Sequence, residues 1–123
     1  EVYSLAVLFQ EENLYDVATI FATDFNESAL KMAQEGIYPL KDIQQYTVNY
    51  QRSGGVASFG DYYYAKYGSA KMHPSLKANI TFANHNLVTD GVFSEVHLIL
   101  CRNVLIYFDR PHLPHRSCIC RFP

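Results

Sequence analysis

The run Val96-His97-Leu98-Ile99-Leu100-Cys101-Arg102-Asn103-Val104-Leu105-Ile106-Tyr107-Phe108 constrains this chain more than any other stretch. An apolar segment stops at a charged residue and an amide, then turns apolar again. A buried strand over 96–101 that ends at Arg102-Asn103 delivers polar groups to one edge of a sheet. In open α/β sheets, ligands bind in the crevice beyond the carboxyl ends of the strands. Upstream, Ala18-Thr19-Ile20-Phe21-Ala22-Thr23-Asp24 has the same form, an apolar run that ends in an acid. Two strands ending in residues able to bind a ligand predict one shared site.

The remaining totals narrow the class. A length of 123 residues allows one modest domain, and a hydrophobic share of 49% suits a globular one. Ten Lys+Arg against twelve Asp+Glu leave a net charge of −2, which gives no electrostatic case for nucleic acid or an anionic membrane. Three cysteines without a framework spacing fit a reducing, cytoplasmic compartment. No uninterrupted apolar stretch is long enough to span a bilayer. Glu1-Val2-Tyr3-Ser4 lacks a methionine and a basic n-region, so the start reads as the interior of a longer protein and not as a signal peptide.

Along the chain, residues 2–13 read as a helix buried on more than one side, with Asn13 as its stop. Residues 17–23 read as a strand. Asn26 caps a following helix that runs to Glu35 and closes at Gly36, so strand and helix form half of a parallel α/β unit. Residues 37–78 are rich in tyrosine with glycine breaks, which predicts a small antiparallel ribbon around 62–67 and 70–78, an insertion spanning about 45–78. A further strand is expected over 80–85, and another over 96–101. From Arg110 onward the pattern breaks: 111–123 carries three prolines, two cysteines, two histidines and no acid.

Each candidate site residue also has an ordinary structural reading. Asp24 suits a pair of ribose hydroxyls, because a carboxylate accepts two bonds at once; equally, it suits the N-terminus of the next helix. Arg102 offers a rigid donor fork for a carboxylate, and Asn103 offers donor and acceptor together. Taken alone, an arginine capping nearby carbonyls is the simpler account. Asn86-Leu87 could give an amide and an apolar lid to a planar base, or merely form a loop. His73, His85, His97, His112 and His115 show no metal-ligand spacing, and Cys118-x-Cys120 is too short for a zinc site, so no metal is expected. Neither a Gly-x-Gly-x-x-Gly nor a Walker loop is present.

Taken in order, Glu1-Val2-Tyr3-Ser4-Leu5-Ala6, Phe21-Ala22-Thr23-Asp24-Phe25-Asn26, Gly36-Ile37-Tyr38, Ser58-Phe59, His85-Asn86-Leu87 and Cys101 to Phe108 resemble the CheR-type chemotaxis receptor methyltransferases. The resemblance runs from about residue 1 to 110. It implies an α/β fold, part of a Rossmann-like sheet of a methyltransferase that uses S-adenosylmethionine (SAM), with a small antiparallel β insertion. It implies SAM as methyl donor, S-adenosylhomocysteine as product, and glutamate side chains in the cytoplasmic domain of chemoreceptors as acceptors. By the same resemblance Asp24 holds the ribose, Asn86 and Leu87 line the adenine pocket, and Glu1 reaches the methionyl amino group. Arg102, Asn103 and Tyr107 lie near the methionine end and the transferring methyl, with Arg102 and Tyr107 as the catalytic pair.

The family's glycine loop and first strand would precede Glu1, and in the family that strand lies between those ending at Asp24 and Cys101. The sheet is therefore expected to fill that gap with something else or to close out of family order, and the chain to be poorly stable. After Arg110 the family continues with an amphipathic helix, which the tail 111–123 does not match. Two other functions stay open at this point: a non-catalytic interaction module derived from a methyltransferase, and a SAM enzyme with another acceptor.

Overall fold

Helix α1 (Val2–Glu11) forms on the spacing of Tyr3, Ala6 and Val7, which share one face and are all buried. It stops just before Asn13, whose φ of 57° is left-handed, a conformation asparagine adopts more readily than most residues. The computed structural model describes residues 1–104 and 106. These fall in two compact units, the first Glu1–Asn84 and the second beginning at His85.

In the first unit, strand β1 covers Ile20–Asp24, three residues later than the apolar run suggests. The reason lies in Tyr15. Its hydroxyl donates to the Leu76 carbonyl at 2.6 Å, and its own carbonyl accepts from Asn79 Nδ2 at 2.7 Å. Those bonds hold Tyr15–Val17 in a 3-10 turn and delay the extended chain. Helix α2 (Glu27–Glu35) then begins and ends as expected. The Asn26 side chain accepts from the Ser28 and Ala29 amides, and Gly36 closes the helix at φ 67°. Gly36 also meets a neighbour closely, since a Cβ there would lie 2.6 Å from the Tyr3 hydroxyl. That hydroxyl donates to the Ala33 carbonyl at 2.6 Å, and burial raises the phenol above its ordinary range.

Strand β2 (Ile37–Pro39) and helix α3 (Leu40–Arg52) come next. Neither was expected. The aromatic content of 37–50 draws attention to strand propensity, yet Leu40, Ile43, Thr47 and Tyr50 keep a helical spacing, and Ile43 is almost fully buried. The hairpin of β3 (Tyr63–Lys66) and β4 (Ser69–Met72) does match the ribbon read from the sequence. Tyr67 and Gly68 make its turn with φ of 49° and 73°, the positive pair that a tight hairpin turn of matching twist requires. Beyond Met72 the ribbon ends sooner than expected. Pro74 has no amide hydrogen for a ladder, and the chain forms a 3-10 turn over Pro74–Lys77. The antiparallel sheet has the order β2-β4-β3, with Ala70 and Met72 of β4 on its buried face.

Strand β5 (Ile80–Asn84) returns parallel to β1, in register from Ile20–Ile80 to Asp24–Asn84. Helix α2 packs on both strands. The core beneath gathers Tyr3, Ala6, Val7, Tyr15, Ile20, Met72 and Leu76. At the end of α1, Glu11 accepts hydrogen bonds from the Tyr50 and Tyr62 hydroxyls, the latter at 3.1 Å, which ties α1 to the tyrosine-rich segment. Burial and this carboxylate raise the Tyr62 phenol. A parallel pair crossed by a helix, with a separate antiparallel sheet, gives the α/β class expected.

A further expectation fails. Residues 96–101 form no strand, and Leu98, Ile99 and Leu100 are each more than half exposed. A strand exists only through its ladder, and among the described residues no strand pairs with this segment. The parallel sheet shows neither a filled gap nor an out-of-order closure; among the described residues it consists of β1 and β5 alone. The described part of the second unit contains no α-helix or strand and is organised instead around the turn that begins at His85.

Candidate functional site

Asp24 is the last residue of β1, and its side chain is exposed. Its position follows from the sequence Asp-Phe-Asn. The Asp24 Oδ1 accepts from the Asn26 amide at 2.9 Å, and the Asn26 side chain in turn caps α2. One carboxylate oxygen is thus fixed by the turn, and the group sits at the carboxyl edge of a parallel pair. Across the pair Asn84 stands in register, with its Nδ2 donating to the Phe25 carbonyl at 3.2 Å. That bond holds the β1–α2 turn against the end of β5. Asn84 was not singled out from the sequence, although an amide closing an alternating strand beside an acid-terminated one is a usable signal.

Glu1 stands in the same unit at the N-cap position of α1, where its carbonyl accepts from the Leu5 amide at 3.2 Å. Its side chain is exposed.

In the second unit, Asn86 and Leu87 belong to a cross-braced turn. The Asn86 Oδ1 accepts from the Val88 amide at 2.9 Å, and the Asn86 carbonyl accepts from the Asp90 amide at 2.9 Å. In return the Asp90 carboxylate accepts from the Asn86 amide at 2.8 Å and from the Thr89 hydroxyl at 3.0 Å. Those donors, the amide first, hold the Asp90 carboxyl below the usual carboxylate range. His85 Nε2 lies 3.2 Å from the Gly91 carbonyl, and its ring meets Phe93 edge-on at 5.0 Å. Asp90 and His85 were not foreseen as parts of this turn; the spacing Asn-x-x-x-Asp was the signal available.

Arg102 and Asn103 are both exposed, and Asn103 holds a left-handed φ of 55°. The strand expected to end at this pair is absent, and the left-handed turn at Asn103 was not foreseen. Non-glycine residues in that region concentrate at functional and turn positions. Tyr107 lies outside the described residues. Among those residues no group of three or more His, Cys, Asp or Glu could hold a metal ion, and no helix is long and apolar enough to cross a membrane.

The family model for the CheR methyltransferase SAM binding domain matches residues 1–115. The chain belongs to the CheR methyltransferase family. Its relatives include the putative methyltransferase Cher3 of Pseudomonas putida, 50% identical over 110 residues, which are 89% of this chain and 40% of the relative. A chemotaxis protein methyltransferase of Listeria innocua is 33% identical over 88% of this chain and 38% of its own length. Chemotaxis protein methyltransferase 2 of Pseudomonas aeruginosa is 29% identical over 90% of this chain and 40% of its own. The chain thus spans about two fifths of the length of these relatives.

Binding SAM is a property of this family of domains. The carboxylate acceptor at the end of β1 suits such a molecule. A carboxylate with one oxygen locked by its own turn keeps acceptor capacity for sugar hydroxyls, and it is exposed at the sheet edge where α/β folds bind nucleosides.

Proposed function

We propose that the CheR-family protein carrying this chain transfers the methyl group of SAM to glutamate side chains in the cytoplasmic domain of chemoreceptors. The single observation that carries the SAM part of this reading is the exposed, turn-oriented Asp24 carboxylate at the carboxyl end of β1. The acceptor is suggested by the names of the relatives, two of which are chemotaxis protein methyltransferases.

In this reading Asp24 accepts from the ribose hydroxyls, and Asn86 and Leu87 hold the adenine. Glu1 takes the methionyl amino group, and Arg102 with Asn103 serves the methionine end. When bound, the sulfonium supplies an electrophilic methyl group. A glutamate acceptor has an ordinary pKa near 4.3 and is already ionised at neutral pH, so no strong general base is needed. The chain's own work is alignment and removal of water from the nucleophile. Arg102, with a planar donor fork, orients a carboxylate, either the acceptor's or the methionyl one. Tyr107 shapes the path of the methyl group.

The test uses SAM labelled in the methyl group, with receptor-bearing membranes as acceptor. Label is expected on the receptor and is released as methanol by mild alkali, as a carboxyl methyl ester requires. Receptor in which the acceptor glutamates are replaced by glutamine takes none. Alkali-stable label, or label passing only to small acceptors, overturns the glutamate assignment. SAM binding without transfer to any acceptor favours a non-catalytic module.

A further inference from the structure

The turn that presents Asn86 and Leu87 is held from one side by Asp90. This carboxylate takes the Asn86 amide hydrogen at 2.8 Å and the Thr89 hydroxyl at 3.0 Å, while the Asp90 amide donates to the Asn86 carbonyl at 2.9 Å. Asn86 is thus bonded to Asp90 through both of its backbone polar groups. Its side-chain Oδ1 is bonded to Val88 at 2.9 Å, which leaves the amide NH2 as the part of that side chain with donors to offer. The His85 ring closes the other side. Its Nε2 reaches the Gly91 carbonyl, and its Nδ1 is buried without a hydrogen-bond partner among the described residues. The Nε2-protonated form satisfies the Gly91 contact and leaves Nδ1 as a bare acceptor.

We propose that Asp90 is a positioning residue that fixes the backbone and amide orientation of Asn86, and thereby the discrimination of this domain for the adenine of its cofactor. The proposal rests on the reading that Asn86 faces adenine. Four observations support it. The bond to Asn86 has an ionised acceptor, which makes it stronger than a neutral one. It is reciprocated across the same pair. Thr89 buttresses the carboxylate from the adjacent position. Finally, the Asn86 Oδ1 is spent on the turn, so the direction of the remaining amide depends on the backbone that Asp90 holds. Asp90 touches no reacting atom in this account and acts only through Asn86.

The experiment measures binding of S-adenosylhomocysteine and of its inosine counterpart, S-inosylhomocysteine, by calorimetry. It compares the unsubstituted protein with Asp90→Ala, Asp90→Asn, Asn86→Ala and the Asn86→Ala/Asp90→Ala double variant. Asp90→Ala is expected to weaken adenosyl binding roughly three- to tenfold while changing inosyl binding little, a modest loss because the carboxylate is exposed. Asp90→Asn keeps an acceptor and restores most of the selectivity. On the Asn86→Ala background, removing Asp90 adds almost nothing, as two residues acting through one contact require. Equal weakening of both ligands by Asp90→Ala, or additive losses in the double variant, overturns the positioning role. An Asn86→Ala variant with unchanged adenosyl affinity and selectivity overturns the adenine reading instead, and the proposal with it. Because the two failures appear in different variants, they are distinguishable.

Discussion

Leu76→Ala is expected to destabilise the first unit by about 2–5 kcal/mol, the cost of emptying a fully enclosed leucine site. Leu76 has no exposed surface and packs with Tyr3, Tyr15, Ile20 and Met72 in the core. Its carbonyl also receives the Tyr15 hydroxyl, so the site joins packing to the hydrogen bonds that shape the entry to β1. A domain's whole stability is about 5–15 kcal/mol, so this one change can remove a large part of it. Urea denaturation followed by circular dichroism measures the effect. The exposed Val17 gives the control: Val17→Ala is expected to stay within about 0.5 kcal/mol. A loss below about 1 kcal/mol for Leu76→Ala contradicts the core as described.

The largest effect on activity is expected from Arg102→Ala. Under the proposed role, in which Arg102 orients a carboxylate for in-line transfer, the substitution should lower methyl-transfer turnover about a hundredfold or more. Arg102 is exposed, and no core residue is Arg102, so stability is expected to change by only about 0.5 kcal/mol. Arg102→Lys keeps the charge but not the planar fork, and it should recover only part of the lost rate. Steady-state kinetics with labelled SAM separates kcat from KM, and thermal denaturation in parallel reports the fold. Unchanged turnover in Arg102→Ala rejects the orienting role.

How much of this was readable in the sequence varies with how local the cause is. The β1–α2 unit was legible because its determinants are neighbours: the apolar run, Asp24, the capping Asn26, and Gly36 at the helix end. The β3–β4 hairpin was legible for the same reason, through its tyrosine-rich runs with glycine breaks. The start of β1 was misjudged because Tyr15 bonds to Leu76 and Asn79, more than sixty positions away. Helix α3 was missed because aromatic residues outweighed the helical spacing of Leu40, Ile43 and Thr47. The segment 96–101 has a strong strand pattern, but a pattern supplies no ladder partner, and the described residues contain none for it.

The candidate site divides along the same line. Asp24 stood out because an acid that ends an apolar run is visible in one dimension. The brace around Asn86 was not, since Asp90 and His85 matter only once the chain turns back on itself. Nothing in the residue types at 85–91 announces the pairing of the Asn86 amide with Asp90, although the four-residue spacing permits it.

The central claim is that the Asp24 carboxylate at the end of β1 holds the ribose of SAM. Calorimetric titration of SAM into the protein and its Asp24→Ala variant tests it most directly. The account predicts an affinity lower by about 1–3 kcal/mol in the variant, the worth of hydrogen bonds to a charged acceptor, with the circular dichroism spectrum preserved. Equal affinity in the two proteins contradicts it.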